Sequence, residues 1–225
     1  LGLISRSGLL DDAARKGLGE LPTDASACAA HLINKGVLTK FQAKLLLAGR
    51  YKGFKIGAYF ILEQLGQGGM GAVYLAEHET LRRKVALKVL TPSKEGNAKL
   101  SIERFLREAR SAAALDHPNI VRLHDTGKHG DTHYLVMEYV EGQTLEQIVT
   151  RTGTISSSRA VDYIAQAAAG LQHAAEKGFV HRDIKPSNLI LAKDGSIKIL
   201  DMGLARPTDE SESSLTEVMD QGAIV

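Results

Sequence analysis

His181-Arg182-Asp183-Ile184-Lys185-Pro186-Ser187-Asn188 decides the reading of this chain. The fixed positions H-R-D-x-x-x-x-N place a carboxylate, an ammonium and an amide in one short loop. A hydroxyl nucleophile needs an acceptor for its proton and a fixed direction of attack, and Asp183 supplies both. Lys185 can neutralise charge developing on a transferred phosphoryl group. Asn188 offers an amide oxygen to Mg²⁺. Leu189–Leu191 and Ser196–Leu200 then read as two short strands joined by Lys193-Asp194-Gly195, a good hairpin turn. Asp201-Met202-Gly203 comes next, and Asp201 is a hard oxygen ligand suited to an Mg²⁺ that bridges phosphates.

Upstream, Leu65 precedes Gly66-Gln67-Gly68-Gly69-Met70-Gly71, a G-x-G-x-x-G. Alone it is ambiguous, because dinucleotide-binding folds use the same pattern to open a helix. Here the glycines run into Ala72-Val73-Tyr74-Leu75, which reads as a strand. A glycine loop between antiparallel strands can fold its backbone amides over a triphosphate. The next strand carries Val85-Ala86-Leu87-Lys88, which sets an ammonium against the α- and β-phosphates. That lysine needs an orienting carboxylate. Glu108 on the following helix is the candidate, with Glu103, on another face, as its rival.

The rest of the chain supports a strand-rich part followed by a helix-rich part. Strands are predicted at Tyr59–Leu65, Ala72–Glu77, Lys84–Leu90, Ile120–Leu123 and His133–Tyr139. Between the third and fourth lies a helix capped by Ser101, burying Ile102, Phe105, Leu106 and Ala109. After Gly142 the chain turns helical, with a long Ala-rich segment over Ser157–Lys177. Residues 1 to about 54 form a separate helical preface. Thr23 or Asp24 caps a helix with Ala25, Cys28, Ala29, Leu32 and Ile33 on one face, ended by Gly36. A second helix sets Leu38, Phe41 and Leu45 to one side. So small a core is marginal alone, and it is either a packing appendage or a docking module.

Composition fits a soluble globular protein: 44% apolar and 24% charged residues among 225. A net charge of +2 is too small to suggest nucleic-acid or membrane-surface binding. The single cysteine, Cys28, excludes an intramolecular disulfide and a cysteine metal cluster, and fits a reducing cytosol. No run of about 18 apolar residues suggests a membrane span. The chain starts at Leu1 without a signal pattern and reads as a piece of a longer protein.

The ordered motifs resemble the eukaryotic-like (Hanks-type) protein kinases over about Tyr59 to Val225. Lys185 in the catalytic loop looks like the Ser/Thr branch. Arg104-Phe105-Leu106-Arg107-Glu108-Ala109 and His117-Pro118-Asn119-Ile120-Val121 look like bacterial members. Leu38-Thr39-Lys40-Phe41-Gln42-Ala43 resembles the lead-in of some multidomain bacterial kinases. The resemblance implies an α+β, two-lobed fold: a helical extension (1–54), a five-stranded antiparallel N-lobe (55–140) and a partial helical C-lobe (141–225) ending in the activation loop.

It also implies ATP and Mg²⁺ as cofactors, protein substrates with Ser or Thr acceptors, and dimerisation as a route to autophosphorylation. Val136-Met137-Glu138-Tyr139-Val140 would be the hinge, with backbone groups of Glu138 and Val140 on the adenine and Met137 at the back. Val73, Ala86 and Ile190 would sandwich the ring. Arg182 would pair with a phosphorylated loop residue, drawn from Thr208, Ser211, Ser213, Ser214 and Thr216. Two departures stand out. Met202 replaces the usual phenylalanine of D-F-G, a modest packing change. No A-P-E comes after Asp201, so the piece is expected to lack part of its helical support. A pseudokinase that signals by shape and a small-molecule phosphotransferase are the alternatives.

Overall fold

The computed structural model describes residues 2–9, 18, 21–68, 71–90, 98–200 and 206–207, with the backbone alone at 98–101, 104, 108, 111, 206 and 207. The chain divides into two compact units. The first comprises Leu1–Pro92 with Thr126–Tyr139, and the second Ser93–Asp125 with Val140–Val225. By packing, the helical preface belongs with the strands, and the segment 93–125 goes with the second unit.

The first unit is built on an antiparallel sheet of order β1-β2-β3-β4-β6-β5. The sheet's strands are β1 (Lys55–Ile56), β2 (Tyr59–Gly68), β3 (Gly71–His78), β4 (Lys84–Leu90), β5 (Leu123–His129, of which Thr126–His129 belong to this unit) and β6 (Thr132–Glu138). Six strands stand where five were expected, because the two-residue β1 adds itself to β2 through Lys55↔Phe60 and Ile56↔Tyr59. One face of the sheet buries Ile61, Ala76, Val85, Leu87 and Val136, with Tyr74 and Phe41 packed against them.

Phe41 comes from the helical preface, whose described helices are α1 (Gly2–Ser7), α2 (Ala25–Asn34) and α3 (Lys40–Leu47). Asp24 caps α2 by accepting the Ala27 N–H at 2.8 Å, and Gly36 lies just past the helix with φ of 69°. That positive φ favours glycine at the stop. The preface holds its own core of Cys28, Leu32, Leu38, Ala43, Leu46 and Phe54. Leu32 is fully buried in it, and truncation to alanine costs about 2–5 kcal/mol at such a site. The buried side of α3 carries Gln42, Ala43 and Leu46 rather than Leu38, Phe41 and Leu45 alone. The helix has neighbours on two sides, so a single apolar stripe understates what it buries.

The second unit holds α4 (Ala98–Ala113), β7 (Gly142–Thr144), α5 (Leu145–Thr152), α6 (Ser157–Glu176), β8 (Phe179–Val180), β9 (Leu189–Ala192), β10 (Ile197–Ile199) and β11 (Arg206–Pro207). In α4, Phe105 and Ala109 are buried as expected, and the helix begins at Ala98, ahead of Ser101. A three-stranded sheet runs β10-β9-β7, and β11 pairs with β8. Residues 142–144 therefore form a strand against β9 before the chain turns helical.

The predicted strand Ile120–Leu123 is displaced. Ile120 makes only a parallel bridge to Ile199, and the regular strand starts at Leu123. The cause is a competing set of bonds at 119–121. Asn119 Nδ2 donates to Ile197 O at 2.8 Å, Ile199 N to Asn119 O at 2.8 Å, and Val121 N to Ile199 O at 3.0 Å. Gln166 on α6 accepts from Ile197 N at 2.8 Å. Gly170 lets α6 approach this edge, since a Cβ there would meet Ile199 Cδ1 at 3.0 Å and Asn119 O at 3.2 Å. Ile120, Leu145, Ala167, Leu189, Ile197 and Ile199 fill the core beneath.

Candidate active site

In the first unit, β4 pairs Lys88 with Val73 of β3 and with Leu135 of β6, and pairs Ala86 with Leu75 and Met137. Directly opposed residues share a face and alternate residues return to it. Val73, Ala86, Lys88 and Met137 therefore line the face opposite the Leu87–Val136 core. Four of the expected nucleotide residues meet on one surface. Lys88 is 8% exposed despite its charge. The glycine strands leave from the same end, with Gly66 opposite Val73, Gln67 opposite Ala72 and Gly68 opposite Gly71. At Gly71 an added Cβ would run into the Val89 carbonyl oxygen, and φ is 152°. Only glycine permits β3 to lie this close to β4. Leu65 is exposed beside a register shift between Gln64 and Gly66.

The carboxylate expected to orient Lys88 falls on Glu108, whose side chain lies outside the described residues, as do Gly69, Met70, Asp201, Met202 and Gly203. The same holds for Thr208, Ser211, Ser213, Ser214 and Thr216. Glu138 ends β6 opposite Val85, and the chain passes into the second unit at Val140.

In the second unit, the loop after β8 closes on itself through a few bonds. His181, 3% exposed, bonds through Nε2 to Leu200 O at 2.9 Å and accepts the Asp183 N–H on Nδ1 at 3.3 Å. A carbonyl only accepts and an amide N–H only donates, so the tautomer protonated on Nε2 satisfies both. Arg182 adopts φ of 64°, a left-handed bend that is uncommon outside glycine. The bend turns the chain between the two residues that His181 ties together.

Pro186–Asn188 forms a 3₁₀ turn that Asn188 N closes on Lys185 O at 2.9 Å. Proline suits the first position of such a turn because its missing N–H would find no partner there. The turn delivers Asn188, 8% exposed, beneath Asp183. Asn188 Nδ2 donates to Asp183 O at 2.8 Å and to Asp183 Oδ2 at 3.2 Å. Lys185 Nζ lies 2.8 Å from the same Oδ2. Its hydrogen bond, the largest effect, outweighs the opposing effect of burial and, helped by its charge and then the Asn188 bond, holds the Asp183 carboxyl below its ordinary range.

Leu200 is fixed from both sides. Its carbonyl takes His181, and its N–H donates to Asn188 O at 2.8 Å. The residue preceding Asp201 is thus tied to the catalytic loop at both backbone groups. Ile190 lies on β9, opposite Lys198 and Thr144. The sequence motif contains His181 but assigns it no role. Its function depends on Leu200, a partner distant along the chain, and no local pattern announces that contact.

The chemistry of the donors fits Mg²⁺. Asn188 engages Asp183 through Nδ2, which leaves its amide oxygen as the atom to offer a cation. Among the described residues no cluster of three His, Cys, Asp or Glu gathers as a metal site. An ion held by one or two protein oxygens together with substrate phosphates needs no such cluster.

A carboxylate bonded to a lysine and an asparagine in one loop of the second unit, and a buried lysine beside a glycine hairpin in the first, are the features expected of the protein kinase class. Residues 59–222 match the protein kinase domain family, and the chain belongs to it. It is 46% identical to the serine/threonine-protein kinase PrkC of Bacillus subtilis over 149 residues, 66% of this chain and 23% of the relative. It is 42% identical to PknB of Mycolicibacterium smegmatis over 163 residues, 71% of this chain and 26% of that protein. It is also 42% identical to pkn2 of Myxococcus xanthus over 166 residues, 72% and 20%. All three are bacterial, as the sequence resemblance implied, and the chain spans about a quarter or less of their length.

Proposed function

We propose that this chain is the ATP-binding and catalytic part of a protein serine/threonine kinase, moving the γ-phosphoryl group of ATP to Ser or Thr hydroxyls of proteins. The observation that carries the reading is the Asp183–Lys185–Asn188 arrangement, in which one carboxylate oxygen meets both an ammonium at 2.8 Å and an amide at 3.2 Å. A carboxyl held ionised in this way is a weak base. Its work is to orient the hydroxyl and to receive the proton once that oxygen bonds to phosphorus. A hydroxyl held by Asp183 also comes within reach of the Lys185 ammonium, which balances charge on the moving phosphoryl group. Catalysis of this kind rests on positioning and charge rather than on covalent chemistry.

In this reading Lys88, oriented by Glu108, holds the α- and β-phosphates, and the strands around Gly66–Gly71 cover them. Val73, Ala86 and Ile190 enclose the adenine, Met137 closes its rear, and backbone groups of Glu138 and Val140 bind its edge. Asn188 and Asp201 would hold Mg²⁺, which supplies charge neutralisation on the phosphates. Arg182 would receive a phosphate from the 208–216 loop, made by autophosphorylation between two copies. We place the catalytic part in the cytoplasm, where ATP is available. Among the described residues no helix is long and apolar enough to cross a membrane.

Radiolabelled transfer from Mg-ATP by the full-length protein tests the proposal. Label on Ser or Thr is expected, lost on chelation, and reduced at least about 10²-fold in Asp183→Asn, in line with removal of a positioned base. Nucleotide binding without transfer would replace the kinase by an ATP-binding scaffold. Label on a small molecule alone would replace its protein substrates.

A further inference from the structure

The helical preface reaches the strands through two polar side chains that no part of the phosphoryl-transfer reading uses. Thr39 and Gln42 form a capping box at the start of α3. Thr39 Oγ1 accepts Gln42 N at 3.1 Å, and Gln42 Oε1 accepts Thr39 N at 2.9 Å. Each side chain then also donates to β2. Thr39 Oγ1 donates to Leu62 O at 2.6 Å, and Gln42 Nε2 donates to Ile61 O at 2.7 Å. Gln42 is 3% exposed, so its amide makes these bonds away from water.

The two carbonyls sit at an irregularity. β2 and β3 pair Ile61 with Ala76 and then Glu63 with Leu75, so Leu62 is an extra residue on β2. A bulge of this kind bends its strand and increases the local twist, so it aims the residues beyond it. Those residues are the second shift at Leu65 and then Gly66–Gly68. The preface touches the partner strand as well. Phe41 packs on Tyr74 of β3 at a centroid distance of 6.4 Å, and Tyr74 is the neighbour of Val73 opposite Gly66. The helix therefore grips both strands of the glycine hairpin on the face away from the nucleotide residues.

We propose that Thr39 and Gln42 are positioning residues for the glycine hairpin: by holding the carbonyls of Leu62 and Ile61 they fix the β2 bulge and thereby set ATP affinity. The proposal rests on the kinase reading for its ligand, and its structural half stands without it. Neither residue is among those placed at the nucleotide. Their effect passes through the twist of β2, so it falls on nucleotide binding and spares the chemical step.

The test compares Thr39→Val, Gln42→Leu and Thr39→Ser in the full-length protein by three readouts. These are KM for ATP against kcat, direct binding of a fluorescent ATP analogue, and amide hydrogen exchange along β2. Thr39→Val and Gln42→Leu should each raise KM and the analogue's Kd about fivefold, which is about 1 kcal/mol at 1.4 kcal/mol per decade. kcat should stay within about twofold, as expected when binding and not the transition state is affected. Exchange should quicken from Ile61 through Gly68, and Thr39→Ser, which keeps the hydroxyl, should restore all three. Lower thermal stability with unchanged Kd, and faster exchange confined to 61–63, would overturn the proposal and leave a simple docking contact. Should Gln42→Leu not fold, Thr39→Val, which removes at nearly constant volume the hydroxyl that donates to Leu62 O and accepts Gln42 N, carries the comparison alone. Should the protein bind ATP without transferring phosphate, the kinase reading falls, and Kd with exchange still decides this one.

Discussion

Replacing His181 by phenylalanine tests how the catalytic loop is held. The ring volume is nearly kept, so the change removes two hydrogen bonds from a site only 3% exposed. It leaves the Leu200 carbonyl and the Asp183 N–H without their partner. A buried polar group so orphaned costs about 1–3 kcal/mol. Water reaches half-exposed Asp183 and recovers part of that, so we expect a net loss of about 2–3 kcal/mol. In a protein of this size that lowers Tm by about 5–10 °C. Thermal unfolding monitored by circular dichroism measures it. The same change frees the Asp183 backbone to shift, and a displacement near 1 Å at a catalytic group can cost about 10²-fold in rate. Melting within about 2 °C of the unaltered protein, with undiminished transfer, would show that His181 does not hold this loop and refute the reasoning.

Three further outcomes are expected. The Asp183 carboxyl, monitored by ¹³C NMR, should titrate below the ordinary carboxylate value of about 3.9, and Lys185→Met should move its midpoint upward. A lowered folded pKa favours the fold above the unfolded value and ceases to do so as pH falls through the folded one, so any contribution disappears only in strong acid; a midpoint unmoved by the mutation contradicts the assignment to Lys185. Gly71→Ala should destabilise by about 2–3 kcal/mol, because the new methyl meets the Val89 carbonyl and β3 must move off β4; a change under about 0.5 kcal/mol in urea unfolding would contradict that crowding. Asp24→Ala removes the cap on the Ala27 N–H and should cost about 1 kcal/mol by the same measurement, whereas a neutral result would mean that water replaces the cap in full.

The sequence by itself determined the family and which residues would be candidates for the chemistry. Asp183, Lys185 and Asn188 lie within one short loop, so local connectivity forces them together once the 3₁₀ turn forms. Lys88 and Ala86 share a face by strand alternation, and β-branched and apolar residues marked β4 as a buried strand. The cap at Thr23 or Asp24, the stop at Gly36 and the Lys193–Gly195 turn were legible because caps and turns depend on immediate neighbours, and the structure chose Asp24. The strand at 120–123 was misplaced for the opposite reason. Ile120 and Val121 look like a strand locally, but Asn119 bonds to Ile197 and Ile199 and Val121 N donates to Ile199 O, which ties the segment to β10 through residues far apart in the chain. The same holds for His181 on Leu200 and for Thr39 and Gln42 on β2. Short-range preferences fix which elements form. Only tertiary folding decides which distant carbonyl receives a buried donor, because leaving it unpaired is costly and the sequence offers many acceptors of equal kind.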